Sequence, residues 1–296
     1  MSLDDLSNLR LAKTESTEDL ARRIGREKTA TTRLHERELE EVTLPAGRVG
    51  SVKYLNAVPL TRGLEDQVVF ATPAKLAEML RAGELDAALV SVTEALFHDL
   101  YDVLDEVAVA SLGEVFSVFL AHRIPLEEIR QVHCDPASLT SVNLLKVLLA
   151  ERGLRPEFVP LTDYAEAPRH DAVLLIGDPA IDFLRAAHEP HQIWDLGAAW
   201  SELTKLPFVY AVWALRRSVE TKALRQALRE ARKFGLETLD YIISSRKEYD
   251  IEFRRDYLSW HIHYHLGTDE KRGLARFIEL LRRHGFGPVF DPCYVT

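Results

Sequence analysis

The chain has 296 residues, of which 47% are hydrophobic and 28% charged, values typical of a globular protein with a substantial core. Its net charge of −9 argues against a nucleic-acid partner, because sequence-independent binding needs a clustered positive surface. The first twenty residues are too polar for a secretory signal and no apolar run approaches the roughly 20 residues of a membrane span, so we expect a cytoplasmic protein with no membrane partner.

The N-terminal part divides into a charged segment and a first strand-to-helix transition. Residues 1–46 are rich in charged side chains and poor in Leu and Ile, which predicts an N-terminal extension outside the folded body. Residues 48–54 then read as a strand, and Asn56 and Pro59 are residue types that open helices. The N–H groups of a first helical turn attract anions, although a simple capping role for Asn56 explains the local pattern equally well.

Strands and helices alternate after residue 48, which predicts an α/β fold. We expect strands at 68–71 and 85–91, with a helix between them that Thr72 caps and Gly83 ends. The run 85–91 is apolar enough for a central parallel strand. Ligands of open parallel sheets lie outside the carboxyl ends of the strands, so Asn56 and Ser91 are expected at one edge.

Two long apolar runs, residues 107–121 and 206–216, flank a middle segment with its own strand and helix pattern. Each run is long for one strand of a small sheet, so we predict that both connect two α/β lobes. The first lobe would contain residues 47–120 and 212–296, and the second would contain residues 121–211. Residues 218–244 are predicted to form one helix, followed by a last helical region and a Pro-rich tail.

The two predicted lobes enclose a cleft whose candidate lining consists of helix N-termini and small neutral polar side chains. These side chains are Asn56, Ser91, Ser117, Ser138, Thr140 and Ser141. Such a lining suits a small carboxylate or phosphate, although helix capping alone also explains the hydroxyls at 138–141. Asp135 and Asp178 are candidate acids or bases, but Asp at a strand end is also common in turns.

Other chemistry has weaker support in the sequence. His261, His263 and His265 alternate, but no carboxylate or cysteine follows at metal-site spacing, so we expect packing and no metal. Two cysteines, Cys134 and Cys293, are too few for a disulfide framework. Glycine-rich nucleotide loops and a Gly-x-Ser-x-Gly motif do not occur, so we expect no cofactor.

Six motifs occur in one order along the chain and resemble the chorismate dehydratase family of the futalosine route to menaquinone. They are residues 49–60 (VGSVKYLNAVPL), 85–91 (LDAALVS), 116–118 (FSV), 138–142 (SLTSV), 176–180 (IGDPA) and 195–214 (DLGAAW through LPFVYAVWA). The resemblance spans about residues 48–280. It implies a periplasmic-binding-protein type II-like fold with two crossing strands and a cleft, used as a cytoplasmic enzyme.

The resemblance also implies a reaction and a set of site residues. Chorismate would lose water to give 3-[(1-carboxyvinyl)oxy]benzoate, with Asn56 and Ser117 nearest the chemistry. The implied substrate-binding residues are Ser91, Ser138, Thr140, Ser141 and Asp178. The base is either the enolpyruvyl carboxylate of the substrate or a protein group, Asp178 or His122.

This chain departs from the family pattern at Leu139, where relatives tend to have Arg, so that positive charge is absent or supplied elsewhere. Relatives also tend to have Asp-Gly-Pro where this chain has residues 112–114 (LGE). Two other functions stay open: a non-catalytic cytoplasmic binder or sensor of a small carboxylate, and the sister enzyme 1,4-dihydroxy-6-naphthoate synthase. The oligomeric state is also open, with a homodimer among the alternatives.

Overall fold

The computed structural model describes residues 48–135, 137, 139–186 and 190–296. The predicted extension, residues 1–46, lies outside the described residues, as does Ser138. Within them the strands are β1 (Val49–Ser51), β2 (Val68–Phe70), β3 (Ala87–Ser91), β4 (Tyr101–Ser111), β5 (Val118–His122), β6 (Gln131–Cys134), β7 (Glu157–Pro160), β8 (Ala172–Ile176), β9 (Gln192–Asp195), β10 (Phe208–Arg216) and β11 (Cys293–Val295).

Helices alternate with these strands through most of the described chain. The α-helices are α1 (Pro73–Ala82), α2 (Val92–Phe97), α3 (Leu139–Glu151), α4 (Gly177–Arg185), α5 (Leu196–Thr204), α6 (Lys222–Glu237), α7 (Leu239–Ser245), α8 (Ile251–Asp256) and α9 (Thr268–His284). Short 3-10 helices cover Leu55–Leu60, Leu126–Glu128 and Tyr164–Arg169, and a π-helix covers Tyr257–His261. None of the helices in the described part of the chain has both the length and the apolar content to cross a bilayer.

The strands form two mixed sheets, which confirms the predicted α/β class. The first has the order β11-β4-β10-β3-β1-β2 and the second the order β7-β6-β8-β5-β9. In each, three neighbouring strands are parallel: β3, β1 and β2 in the first sheet, and β7, β6 and β8 in the second. β10 runs antiparallel to β3 and β4, and β5 runs antiparallel to β8 and β9. The parallel strands are followed by helices, which places helix starts at their carboxyl ends.

The chain passes from the first sheet to the second through residues 112–117 and returns through residues 205–207. β5 therefore lies wholly in the second sheet and β10 wholly in the first. The predicted lobe boundaries, 120/121 and 211/212, fall inside these strands, because an apolar run alone does not show where one sheet's pairing stops. The division into two lobes at those residues stays a prediction.

Local sequence signals account for several element ends. The Thr72 side chain accepts the N–H of Lys75 at 3.3 Å and Gly83 has a φ of 76°, so both predicted caps of α1 are confirmed. The single helix predicted for 218–244 is wrong, because it breaks at Thr238. That residue leaves helical geometry at φ −110° and ψ 20°, and its hydroxyl donates to the Phe234 carbonyl at 2.7 Å.

The predicted Pro-rich tail also contains a strand. Its last residues form β11, which pairs in parallel with β4 at the edge of the first sheet. The pairing begins opposite Asp102 and ends opposite Leu104. A three-residue strand after a Pro-rich stretch has too short a pattern to be recognised from sequence alone.

Candidate functional site

A cavity of about 650 Å³, open to solvent, lies where the two sheets meet. Its wall includes residues at or directly after the carboxyl ends of β1, β3 and β8: Val52, Ser91 and Ile176. The carboxyl ends of parallel strands from both sheets therefore lie at the edge of one cavity, as the α/β pattern predicts.

Asn56 lines this cavity, but it is not the helix cap that its residue type suggested. It lies inside the 3-10 helix Leu55–Leu60, whose N-cap position is Tyr54. Pro59 lies inside the same 3-10 helix and has no N–H to donate within it. The Asn56 carboxamide is consequently available for side-chain contacts, and its Nδ2 donates to the hydroxyl of Tyr257 at 3.2 Å.

Ser117 also lines the cavity and stands directly before β5, whose first residue pairs with Ile176 at the end of β8. Its carbonyl accepts the N–H of Gly177 at 2.7 Å, which joins the start of β5 to the start of α4. Phe116 has a left-handed φ of 60°, uncommon for a side chain of this size, and Asp195 accepts its N–H at 2.8 Å. These backbone contacts aim the buried Ser117 side chain at the cavity.

Tyr257 bridges Asn56 and Ser117 on the side away from the cavity. Its hydroxyl donates to Ser117 Oγ at 2.7 Å while accepting from Asn56 Nδ2. The side chain is 1% exposed and is not one of the residues that line the cavity. Burial raises the pKa of the Tyr257 phenol, so it stays protonated at neutral pH. The two predicted residues nearest the chemistry are thus brought together through a third, buried group.

Ser91 and Thr140 form a second pair, again across the two sheets. Their hydroxyl groups are hydrogen-bonded to each other, and Ser91 Oγ also accepts the N–H of Thr140 at 2.7 Å. Thr140 Oγ1 further accepts the N–H of Thr93 at 3.1 Å. Both residues line the cavity, and we call this contact the Ser91–Thr140 link. It connects the end of β3 to the first turn of α3.

The remaining predicted site residues are placed differently from one another. Ser141 lines the cavity on α3, and Ser138 lies outside the described residues. Asp178 is not a lining residue: its Oδ1 accepts the N–H of Leu55 at 3.4 Å, next to Asn56. Burial raises the pKa of Asp178, and nearby acids add to that effect.

The alternative base His122 lies at the other end of β5 from Ser117. Val118, the first residue of that strand, pairs with Ile176 beside the cavity, while His122 pairs with Ala172. The two ends of a strand of this length are about 13 Å apart. The Nδ1 of His122 is 2.8 Å from the Ile124 carbonyl, so its polar contact lies away from the cavity as well.

The part of the cavity wall that the structure describes is electrostatically neutral. Among the described lining residues there is no Lys, Arg or His. The described wall offers hydroxyl, carboxamide and backbone groups to a carboxylate ligand. Burial also raises the pKa of Asp135, directly after β6, and of Asp195, at the end of β9. Raised pKa values reduce the cost of keeping these acids near an anion.

The three alternating histidines do not share one site, although the rings of His263 and His265 stack with their centroids 6.0 Å apart. His261 ends the π-helix, and its Nδ1 donates to the Glu114 carbonyl at 2.9 Å. His263 instead pairs through its backbone with Ala110. In the part of the chain that the structure describes, no group of three His, Cys, Asp or Glu side chains is arranged to hold a metal ion.

Sequence reasoning missed three tyrosines at this site: Tyr54, Tyr210 and Tyr257. The first two line the cavity, and the Tyr210 hydroxyl is 3.1 Å from Ser111 Oγ. Tyr54 and Tyr210 lie within the family motifs, which was the available signal. Tyr257 is 201 residues from Asn56 and 140 from Ser117, and no local pattern marks it.

Comparison with known proteins identifies the fold. A periplasmic aliphatic sulphonate binding protein from Escherichia coli superimposes with a TM-score of 0.54 at 15% identity, covering 84% of this chain and 93% of that one. At such identity the likeness concerns the fold alone. The predicted periplasmic-binding-protein-like architecture, two α/β lobes with a cleft between them, is confirmed.

Sequence relatives identify the family. A chorismate dehydratase of Thermus thermophilus is 37% identical over 272 residues, covering 82% of this chain and 98% of that protein. A chorismate dehydratase of Campylobacter jejuni is 29% identical over 232 residues, covering 76% of this chain and 89% of that protein. A sequence profile described as menaquinone biosynthesis matches residues 47–283. The chain therefore belongs to this menaquinone biosynthesis family.

Proposed function

We propose that this chain is a chorismate dehydratase, a hydro-lyase that converts chorismate to 3-[(1-carboxyvinyl)oxy]benzoate and water in the cytoplasm. Its relatives of that name align over most of both chains. The structural observation that carries the proposal is the pair of Asn56 and Ser117, bridged by Tyr257, on the wall of the cavity between the two sheets. The reaction is a redox-neutral elimination, so no electron acceptor enters its balance.

The chemistry sets clear requirements for the site. Chorismate carries two carboxylates, a ring hydroxyl and an enolpyruvyl ether. The hydroxyl leaves with its bonding electrons. The ring carbon that bears the enolpyruvyl ether loses its proton, and the hydroxyl and the proton together form water. Because the ring becomes aromatic, the elimination is strongly downhill. The protein must hold one geometry, assist the leaving hydroxyl and exclude competing reactions.

The polar side chains of the cavity suit binding and orientation better than proton abstraction. Ser117 can donate to a carboxylate or to the leaving hydroxyl, and Asn56 can hold the enolpyruvyl carboxylate through its carboxamide. That carboxylate is then the base that removes the ring proton and passes it to the departing hydroxyl, which leaves as water. The remaining contacts in the proposal come from Ser91, Thr140 and Ser141, with Ser138 and Asp178 nearby.

A protein base receives less support from the geometry. Asp178 points at the backbone of Leu55 rather than into the cavity, and the polar contact of His122 lies at the far end of β5. Neither group is within the lining set. We therefore favour the carboxylate of the substrate over both.

The test is incubation of the purified chain with chorismate, followed by the ultraviolet spectrum of the ring and chromatography of the product. We expect loss of the diene absorption and formation of an aromatic benzoate. Asn56→Ala should lower kcat by about 100-fold, the usual effect of removing one preorganised hydrogen-bond group. Full activity of Asn56→Ala at saturating chorismate would contradict the role given to Asn56.

The matched control is Asn143→Ala. Asn143 is buried where Asn56 is half-buried, and it also donates through Nδ2, but to the Leu139 carbonyl within α3; it is not a lining residue. We expect this variant to retain kcat at temperatures where it stays folded. Equal losses for Asn56→Ala and Asn143→Ala would indicate a general folding effect instead.

A non-catalytic binder is the second candidate, favoured by the fold that the chain shares with a sulphonate-binding protein. Binding of chorismate with an unchanged diene spectrum would support it and contradict the dehydratase. Chorismate turnover also separates the proposal from a 1,4-dihydroxy-6-naphthoate synthase, whose substrate is different.

A further inference from the structure

We propose that Tyr257 is a positioning residue for the dehydration: its hydroxyl orders Asn56 and Ser117 so that the Ser117 hydroxyl donates into the cavity. The inference rests on the proposed function. It assigns a role to a residue outside the cavity wall, which no local sequence motif marks. Three observations support it: the direction of two hydrogen bonds, the isolation of Tyr257 from the cavity, and the local helix geometry.

The first observation is a directed chain of donors. Asn56 Nδ2 donates to the Tyr257 oxygen at 3.2 Å, and the Tyr257 hydroxyl donates to Ser117 Oγ at 2.7 Å. A hydroxyl has one proton, so Tyr257 can supply only one of its two neighbours. Ser117 Oγ accepts the hydrogen bond from Tyr257, so the Ser117 hydroxyl can donate its own hydrogen to a group in the cavity. Successive hydrogen bonds polarise one another, which makes the Ser117 hydroxyl a stronger donor.

The second observation is that Tyr257 lies behind the cavity wall. It is 1% exposed and absent from the cavity wall, while Asn56 and Ser117 are on it. Burial raises the pKa of its phenol, so the proton that fixes the direction of the chain is retained at neutral pH. Tyr257 is therefore suited to orient its neighbours and unsuited to remove a proton from the substrate.

The third observation concerns the backbone. Tyr257 begins the π-helix Tyr257–His261, directly after α8. Wider π turns are rare and often occur at functional sites, because the extra residue turns a side chain in a direction that an α-helix would not allow. The ring stacks on Phe253 at 5.6 Å with an interplanar angle of 16°. Tyr257→Phe therefore keeps the ring packing and removes only the hydroxyl contacts.

The experiment compares Tyr257→Phe with wild type in chorismate turnover. We expect kcat to fall by about 10- to 100-fold, while KM changes less than about threefold, because the cavity wall itself is unaltered. Tyr264→Phe is the matched control. Tyr264 is also buried, but its hydroxyl has no hydrogen-bond partner among the described residues. The control should retain kcat, since it removes a buried phenol oxygen without touching Asn56 or Ser117.

A double-mutant cycle separates positioning from general packing. In the Ser117→Ala background Tyr257 can act only through Asn56, so adding Tyr257→Phe should lower kcat by a smaller factor than it does in wild type. Multiplication of the two single effects in the double variant would overturn the inference, as would an unchanged kcat for Tyr257→Phe. If wild type transforms no chorismate, the proposed function and this inference both fail. If wild type is active and Tyr257→Phe matches it, only the inference fails.

Discussion

At the scale of single residues, Asp178 illustrates the cost of placing an acid beside this site. It lies in the first turn of α4, and its side chain accepts the N–H of Leu55 at a long 3.4 Å. Burial raises its pKa despite that contact. The folded state therefore binds the Asp178 proton more tightly than the unfolded state does. The contribution of this proton to stability is present at low pH and is lost as the pH rises through the raised, folded-state pKa.

Asp178→Asn should consequently gain stability relative to wild type as the pH rises. The amide keeps an oxygen for the Leu55 N–H but carries no charge. We expect the free energy of unfolding of the variant, minus that of wild type, to increase from about pH 4, near the unfolded pKa of Asp, and to level off above the folded pKa. Urea unfolding at a series of pH values measures this. Asp66→Asn, at an exposed position, is the control, and equal pH profiles for the two variants would contradict the prediction.

Residue type alone supplied part of the site. Asn56, Ser91, Ser117, Thr140 and Ser141 are short polar residues at strand ends or helix starts, and all line one cavity. Their roles remain proposals. Tyr257 could not be predicted in the same way, because its contacts depend on how distant segments pack. Nor could the 3-10 geometry around Asn56, since an Asn shortly before a Pro is compatible with several kinds of turn.

At the scale of elements, the 3-10 helix that carries Asn56 rests on α6 through one close backbone approach. A Cβ on Gly235 would lie 1.9 Å from the Pro59 carbonyl oxygen and 2.7 Å from the Pro59 Cα. Backbone atoms cannot swing aside as the end of a flexible side chain can. The absence of a side chain at 235 therefore sets the distance between α6 and Asn56's helix.

Gly235→Ala should weaken both stability and catalysis. Alanine favours an isolated helix by about 1 kcal/mol over glycine, but overpacking usually costs ~1–3 kcal/mol and the contact here is severe. We expect a lower melting temperature and, because Asn56 moves with its helix, a kcat at least about tenfold lower under conditions where the variant is folded. Thermal unfolding and chorismate kinetics measure the two effects.

Gly273→Ala provides the matched control for that prediction. A Cβ on Gly273 in α9 would lie 2.0 Å from the Pro207 carbonyl oxygen, a similar clash with a segment other than the 3-10 helix that carries Asn56. It should lower the melting temperature with a smaller effect on kcat. If the two variants lose kcat equally, distance from Asn56 is not the cause.

Element types were largely predictable from the sequence, and element ends were not. The runs at 68–71 and 85–91 predicted β2 and β3, and the Thr72 and Gly83 signals predicted both ends of α1. The break at Thr238 and the pairing of β11 were missed. Each is decided by one contact, a hydroxyl to a carbonyl or a short strand finding an open edge, and neither alters the periodicity of the sequence.

At the scale of the whole molecule, the cavity exists because two sheets present their strand ends to each other. The Ser91–Thr140 link joins β3 of the first sheet to α3, which follows β6 of the second. A further contact, from the Leu55 N–H to Asp178, joins the same two parts of the molecule. Proteins with this fold can close around a ligand by hinge motion. Contacts between the two parts then favour the arrangement in which both sets of side chains face one cavity.

Thr140→Val should shift the equilibrium between the closed and open arrangements of the two sheets toward the open one. Valine matches threonine in shape but removes the oxygen that contacts Ser91 and that accepts the Thr93 N–H. Loss of about 1–1.5 kcal/mol from this arrangement lowers the competent fraction, so KM for chorismate should rise by about five- to tenfold. At saturating substrate kcat should change less, because bound chorismate restores closure. Small-angle scattering without substrate should show a larger radius of gyration.

Thr140→Ser separates the hydroxyl from the methyl group in this prediction. Serine keeps the oxygen that contacts Ser91, so its KM and radius of gyration should stay close to those of wild type. A Thr140→Val variant with wild-type KM and an unchanged radius of gyration would show that the link does not control closure. A large loss of kcat with unchanged KM would instead place Thr140 in the chemical step. Loss of an interaction made only in the transition state lowers kcat, whereas loss of an interaction made equally in the ground state raises KM.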